Sequence, residues 1–310
     1  MSHWTAADIP DLGERVAIVT GANSGLGWQT TLELARHGAA VTMACRDEAR
    51  GREALDRVRA EVPTGDVTCR LVDLADLGSV RAFADEVTAA QAGIDVLVNN
   101  AGVMAVPYRR TADGFESQLA TNHLGHFALT GRLLPALLAR PAARVVTVSS
   151  TVAVVGRIDF DDLQSTRHYF RWQAYAQSKL ANQLFAYELA RRAEAAGTSL
   201  VSVAAHPGYA ATNLQTAGPA MSGHRVRAEF MKIGNRLFAQ SDADGARPLL
   251  YAATAPGVTG GEYFGPDGFF GQHGFPRRVT PPRQARREDT ARRLWAVSEE
   301  LTGVEYRFVT

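Results

Sequence analysis

Tyr175 and Lys179 stand four positions apart in Tyr175-Ala-Gln-Ser-Lys179, a spacing that puts both side chains on one face of a helix and lets them point into one cleft. A phenol with its ordinary pKa of about 10 exchanges protons poorly at neutral pH, and a cation held beside it favours the phenolate. The pair reads as a proton donor and acceptor tuned by an ammonium group. On its own, the same pattern is met by a tyrosine packed on a helix with a solvated lysine. Far upstream, Thr20-Gly21-Ala22-Asn23-Ser24-Gly25-Leu26-Gly27 follows the apolar run Val16-Ala17-Ile18-Val19. Small residues are needed where a backbone comes close to a pyrophosphate, and a helix starting there presents unpaired amides and its positive dipole end. Gly21, Gly25 and Gly27 meet that demand. Together the turn and the Tyr/Lys pair spell a nucleotide site and a proton donor, and Asn99-Asn100-Ala101-Gly102, Asn122, Ser149-Ser150 and Pro207-Gly208 fall between and after them.

This ordered series resembles the short-chain dehydrogenase/reductase family from about Arg15 to about Gly265, and within it the retinol-dehydrogenase-like subgroup. The glycine spacing, three residues and then one, is the family's and differs from that of other dinucleotide folds. The resemblance implies that Tyr175 is the acid/base, that Lys179 tunes it and holds the nicotinamide ribose, that Ser150 hydrogen-bonds the substrate oxygen and that Asn122 positions a water for proton relay. It also implies that Asn23, Ser24 and Leu26 line the cofactor beside the three glycines and that Asp73 and Leu74 meet the adenine. Asn99, Ala101 and Gly102 are implied along the adenosine ribose and central sheet, and Pro207, Gly208 and Thr212 beside the nicotinamide. Alternation along Val145 to Val148, together with the family pattern, favours Ser150 over Ser149. Without this context Asn122 reads as an ordinary helix cap.

The choice between NAD and NADP is set after the second strand, where an acid would hold the ribose 2′-hydroxyl and a cation a 2′-phosphate. Cys45 occupies the acid's place and Arg46 follows, so NADP(H) is the expected cofactor. Ser150 precedes Tyr175 by 25 positions, a longer connection than most of the family has, so Arg157 to Trp172 reads as an insertion of the kind the retinol-dehydrogenase-like subgroup carries. Phe160, Tyr169, Phe170 and Trp172 on that side, with Leu214, Met221, Phe230 and Met231 from Tyr209 to Gln240, would wall a hydrophobic cleft; the alternative is that they bury one another or a neighbouring subunit. The expected activity is interconversion of a carbonyl and an alcohol on a hydrophobic small molecule. Competing readings are a non-catalytic NADP(H)-binding sensor or scaffold and, with a different glycine spacing and a larger C-terminal domain, a nucleotide-sugar epimerase or dehydratase. Asp159-Phe160-Asp161-Asp162-Leu163 lacks complete ligand spacing for a metal and reads as surface loop.

Bulk properties set the frame. The chain has 310 residues, 46% hydrophobic and 21% charged, with a formal net charge of +1. That composition excludes disorder and gives no global pull toward nucleic acid or an acidic membrane. Cys45 and Cys69 are the only cysteines and sit in apolar runs, which predicts two buried inert thiols and a reducing compartment. The N-terminal stretch lacks a basic n-region and an apolar h-region, and no apolar run is long enough to cross a bilayer, so no signal peptide or membrane anchor is expected and the location reads as cytoplasmic. A homo-oligomer is compatible with all of this.

Short apolar runs at 16–19, 41–45, 67–72, 96–99, 144–149 and 200–205 alternate with helical patterns at 28–37, 48–60, 79–90, 122–139 and 174–196. Strands of this kind, buried on both faces, predict a single α/β domain: a Rossmann fold with a doubly wound parallel sheet of about seven strands and helices on both faces, its ligands beyond the carboxyl ends of the strands. The cofactor half runs to about residue 150, and the catalytic and substrate half follows. Arg225 to Phe238 has amphipathic spacing, and Pro256 to Pro282 reads as irregular around one last strand near Glu262 to Phe264.

Overall fold

A computed structural model of the chain describes residues 3–208 and 241–308. Its strands are β1 (Val16–Thr20), β2 (Ala40–Cys45), β3 (Val67–Leu71), β4 (Val96–Asn99), β5 (Arg144–Val148), β6 (Val201–Ala205), β7 (Tyr263–Pro266) and β8 (Pro276–Arg278). They form one sheet in the order β3-β2-β1-β4-β5-β6-β7-β8. The pairs from β3 across to β7 are parallel, and β8 joins β7 antiparallel. The order reverses at β1, whose two neighbours are β2 and β4, and the crevice beyond their carboxyl ends is where such sheets hold ligands.

The helices are α1 (Gly25–Arg36), α2 (Glu48–Glu61), α3 (Leu77–Ala90), α4 (Ser117–Leu119), α5 (Gly125–Leu138), α6 (Arg171–Ala195), α7 (Asp242–Thr254) and α8 (Glu288–Thr302), with a π-helical turn, Ala120–Leu124, between α4 and α5. Side-chain alternation on the strands sorts the core into layers. Ala17, Val19, Val96, Val98, Val146 and Val203 pack with α1, α2 and α7, while Ile18, Leu97 and Val145 face Phe83, Phe127, Leu133 and Phe185 of α3, α5 and α6. Burying each such large apolar side chain stabilises the fold by about 1.5–3 kcal/mol. Among the described residues no helix is long and apolar enough to cross a membrane.

The seven parallel strands match the expected architecture, and three elements add to it. Gly245 and Pro248 lie inside α7, two residues that weaken a helix in isolation; burial of Ala246, Leu249, Leu250 and Ala253 against α1 and the sheet overrides them. In α8, Ala291, Leu294, Trp295, Ser298 and Thr302 make a buried stripe, Trp295 stacks on Phe185 with centroids 5.9 Å apart, and Gly303 at φ 65° ends the helix as only a glycine does without strain. The short β8 falls within the stretch expected to be irregular. Predicted starts also shift: α1 begins at Gly25 rather than Trp28, α3 at Leu77 rather than Ser79, and α6 at Arg171 rather than about Ala174.

Candidate active site

The cofactor edge is built from backbone. Gly21 and Gly25 adopt φ 64° and 58°, a left-handed geometry that favours glycine. A Cβ on Gly27 would lie 2.4 Å from the Gly21 carbonyl oxygen and 2.6 Å from Asn100 Nδ2, so the turn after β1 lies directly against the turn after β4. Thr20 and Asn100 join the two. Thr20 Oγ1 accepts from the Asn100 and Ala101 amides, both at 2.9 Å, and Asn100 Nδ2 donates to the Thr20 carbonyl at 2.7 Å. Ser24 precedes α1 without a side-chain capping bond, so Gly25, Leu26 and Gly27 open the helix as an anion-receptive terminus. Asn23 lies beside it, its carbonyl accepting from Arg57 at 3.2 Å. This close-approach cradle fits a dinucleotide pyrophosphate.

The remaining predicted cofactor residues divide. Arg46 is exposed at the end of β2, while the neighbouring acid, Asp47, caps α2 by accepting from the Arg50 amide at 3.0 Å. Asp73 accepts from the Ala75 amide at 2.9 Å within the turn that leads to α3, and Leu74 is buried against Gly125. Asn99 is wholly buried and donates to Thr130 Oγ1 at 3.0 Å, so it braces the sheet, while its neighbour Asn100 shapes the cradle. Ala101 and Gly102 continue the turn; a Cβ on Gly102 would stand 3.0 Å from Asn122 Oδ1 and 3.4 Å from Lys179 Nζ. Pro207 and Gly208 follow β6, Gly208 at φ 72° with its amide donating to His206 Nδ1 at 3.2 Å. Thr212 and the segment 209–240, with its expected pocket residues and amphipathic helix, lie outside the described residues. Cys45 and Cys69 are free thiols that flank Gly51. Cys45 is buried as expected, but Cys69 is only partly so, and the neighbouring Cys45 lowers its thiol.

The catalytic candidates converge where β5 and α6 meet. Tyr175 is buried on α6 beside Ser150, which follows β5. Ser149 points elsewhere, donating to the Lys179 carbonyl at 2.8 Å, as strand alternation requires. Lys179 is buried one turn along α6, its Nζ 6.0 Å from the Tyr175 ring centroid and donating to the Val148 carbonyl at 3.1 Å. Asn122, in the π-helical turn, accepts from the Val103 amide at 2.8 Å and donates to the Val103 carbonyl at 3.0 Å and to Ser178 Oγ at 2.8 Å. Ser178 in turn donates to the Tyr175 carbonyl at 2.8 Å. The Asn122 side chain is thus a clamp between the β4 turn and α6 rather than the helix cap its type suggests.

Expectation and structure part on the phenol. Movement toward neutrality rests on Lys179 and oxidised nicotinamide together; the chain's own groups act otherwise. Burial pushes Tyr175 up to about 12, opposed by the neighbouring Ser150 hydroxyl, and burial brings Lys179 down to about 8. Each buried group is driven toward its neutral form, so charge on either one depends on the other charges in the cleft.

The insertion is pinned by Tyr169, whose hydroxyl donates to the Val106 carbonyl at 2.7 Å and accepts from Gln118 Nε2 at 2.8 Å. Gln177 fastens its other end, accepting from the Asp159 amide and donating to the Leu163 carbonyl. Asp162 accepts from the amides of Thr166 and Arg167, so these acids organise the loop. Of the aromatics expected in the cleft wall, Phe160 lies under the Arg293 guanidinium and Tyr169 is tied into this network. Phe170 and Trp172 are exposed, with Trp172 edge-on to Tyr175 at 6.2 Å.

Comparison with known proteins agrees with the geometry. Residues 15–222 match the short chain dehydrogenase family. Human "Retinol dehydrogenase 12" is 41% identical over 303 residues, covering 94% of this chain and 87% of the relative. "Polyprenol dehydrogenase" of Mus musculus is 42% identical over 301 residues, covering 95% and 86%. A crystal structure of an uncharacterized protein from Mycobacterium Paratuberculosis superposes with a TM-score of 0.81 at 47% identity, covering 99% of this chain and all of that one. With the glycine cradle and the Ser150–Tyr175–Lys179 cluster on one edge of the sheet, the chain belongs to the short-chain dehydrogenase family of oxidoreductases acting on CH–OH groups.

Proposed function

We propose that this protein interconverts a hydrophobic alcohol and its aldehyde or ketone with NADP(H) as preferred cofactor. The observation that carries the reading is a buried phenol beside Ser150, with a buried ammonium group next to it, at the edge that carries the glycine cradle. Bound at the cradle, the nicotinamide supplies hydride acceptance or donation at the carbinol carbon. Tyr175 takes the hydroxyl proton in oxidation and returns it to the carbonyl oxygen in reduction. Ser150 donates to that oxygen and to the phenol oxygen by turns, fixing the substrate against Tyr175. Lys179 favours the phenolate electrostatically and would hold the nicotinamide ribose. Because the Asn122 side chain is spent on Val103 and Ser178, its part in proton relay falls to its main-chain carbonyl.

The NADP(H) preference is supported by Arg46, exposed at the strand end, and by Asp47, whose carboxylate is occupied in capping α2. The substrate class is supported by the names of the relatives, which specify retinol and polyprenol, and by the exposed Phe170 and Trp172 beside Tyr175. The test is kcat/KM for NADPH against NADH over a series of aldehydes of rising chain length. The reading expects at least about a tenfold preference for NADPH, worth about 1.4 kcal/mol, and efficiency that climbs with chain length. Equal use of both cofactors overturns the NADP(H) assignment, and a preference for small anionic substrates overturns the substrate class.

A further inference from the structure

A buried histidine joins the two halves of this site. His126, at the start of α5, is almost completely buried; its Nε2 lies 2.9 Å from Thr20 Oγ1 and its Nδ1 3.0 Å from the Asn122 carbonyl oxygen. A carbonyl only accepts, so Nδ1 carries the proton and Nε2 of the neutral ring is the acceptor. The Thr20 hydroxyl then donates to Nε2, which is nearer than the Val98 carbonyl at 3.3 Å, while its two lone pairs take the Asn100 and Ala101 amides. Every donor and acceptor in the set is used once, the condition under which a buried polar network fixes one geometry.

The network spans the distance between cradle and catalytic cluster. At one end Thr20 holds the β1 and β4 turns together beneath Gly21, Gly27 and Ala101. At the other, the chain runs from Asn122 to Ser178 and to the Tyr175 carbonyl. The π-helical turn, in which the Gly125 amide donates to the Ala120 carbonyl five residues back, offsets the backbone here, and the His126 ring reaches the Asn122 carbonyl from one turn along. Burial and, more weakly, the Lys179 cation keep the His126 ring neutral against the hydrogen bond to the Asn122 carbonyl, and His126 in turn lowers His123.

We propose that His126 is a positioning residue with two separable tasks: its Nε2 holds Thr20, and so the cofactor cradle, while its Nδ1–H holds the Asn122 carbonyl, and so the proton path to Tyr175. The second task rests on the function proposed above; the first does not. The two are separated by two variants. His126→Asn keeps a donor near the Nδ1 position and loses the Thr20 partner; His126→Gln keeps an acceptor near the Nε2 position and loses the donor to Asn122. NADPH affinity is measured by titration without substrate, and kcat with saturating aldehyde and cofactor. His126→Asn is expected to weaken NADPH binding about tenfold with kcat within about threefold of the parent, and His126→Gln to show the reverse, the size of one buried hydrogen bond. A general structural role would lower both quantities together in both variants, and that result, or no loss in either, overturns the proposal. Should a His126 variant fail to fold, Thr20→Val and Thr20→Ser carry the test from the other end. The hydroxyl of Thr20→Ser keeps NADPH affinity within about threefold while Thr20→Val loses about tenfold; equal affinities contradict the first task. Turnover surviving in Tyr175→Phe would overturn the proposed function instead, leaving the titration arm to judge His126.

Discussion

The cofactor edge and the catalytic cluster are made of different material. Around the β1 and β4 turns the decisive features are missing side chains: Gly27 cannot carry a Cβ without meeting Gly21 and Asn100, and Gly21 and Gly25 turn the chain through left-handed geometry. Around α6 the decisive features are side chains present and dehydrated, with Tyr175 and Lys179 both buried, and Asn122 and Ser178 locking the helix turn between them. On the proposed function the first region recognises by shape and the second works by charge and protons. They should therefore fail differently, one by steric exclusion of cofactor and the other by loss of chemistry with binding intact.

The largest effect that isolates the shape side is expected from Gly27→Ala. The added methyl must displace backbone at 2.4 Å, so NADPH affinity should fall by at least about 100-fold and the fold should lose about 1–3 kcal/mol. Cofactor titration and thermal unfolding measure both. Binding within about threefold of the parent would show that the cradle is not shaped by this approach.

A smaller effect, spread over both regions, is expected from acid. His123, His126 and His206 are buried and neutral, burial lowering them to about 3, 4 and 4. As pH falls below the usual histidine value of about 6.5, the unfolded chain takes up protons that these folded imidazoles refuse, so stability decreases until the folded values are reached. Between pH 6.5 and 5 each contributes a loss on the order of 1 kcal/mol per pH unit. Glu116 acts with the opposite sign, since burial raises its carboxyl and favours the folded state as acid is added. Urea midpoints recorded from pH 7.5 to 5 should fall steadily below 6.5; a flat profile would contradict the buried neutral assignment.

The same contrast explains what could be read from sequence. Glycine positions and the parallel strands were legible because left-handed turns and doubly buried strands leave local signatures, and the Tyr175/Lys179 spacing declares a shared helix face. Long-range partnerships leave none. Nothing local says that Asn99 turns into the sheet toward Thr130 while Asn100 reaches Thr20, or that His126 meets Thr20 across 106 positions. The apolar character of Phe160 and Tyr169 suggests a cleft wall or mutual burial, but does not reveal that one ring packs under Arg293 and the other's hydroxyl accepts from Gln118. The α8 stripe, by contrast, has helical spacing in Ala291, Leu294, Trp295 and Ser298, a period that is legible in the sequence.

Tyr175→Phe tests the central claim most directly, because it removes the proton-bearing oxygen of the buried phenol and leaves the ring in place. Single-turnover rate and NADPH affinity are measured on the same preparation, with the hydrophobic aldehyde that the parent uses best. The account predicts a rate lowered by at least about 100-fold, as loss of general acid/base catalysis requires, with NADPH affinity within about threefold of the parent. A rate within about tenfold of the parent would contradict Tyr175 as the acid/base.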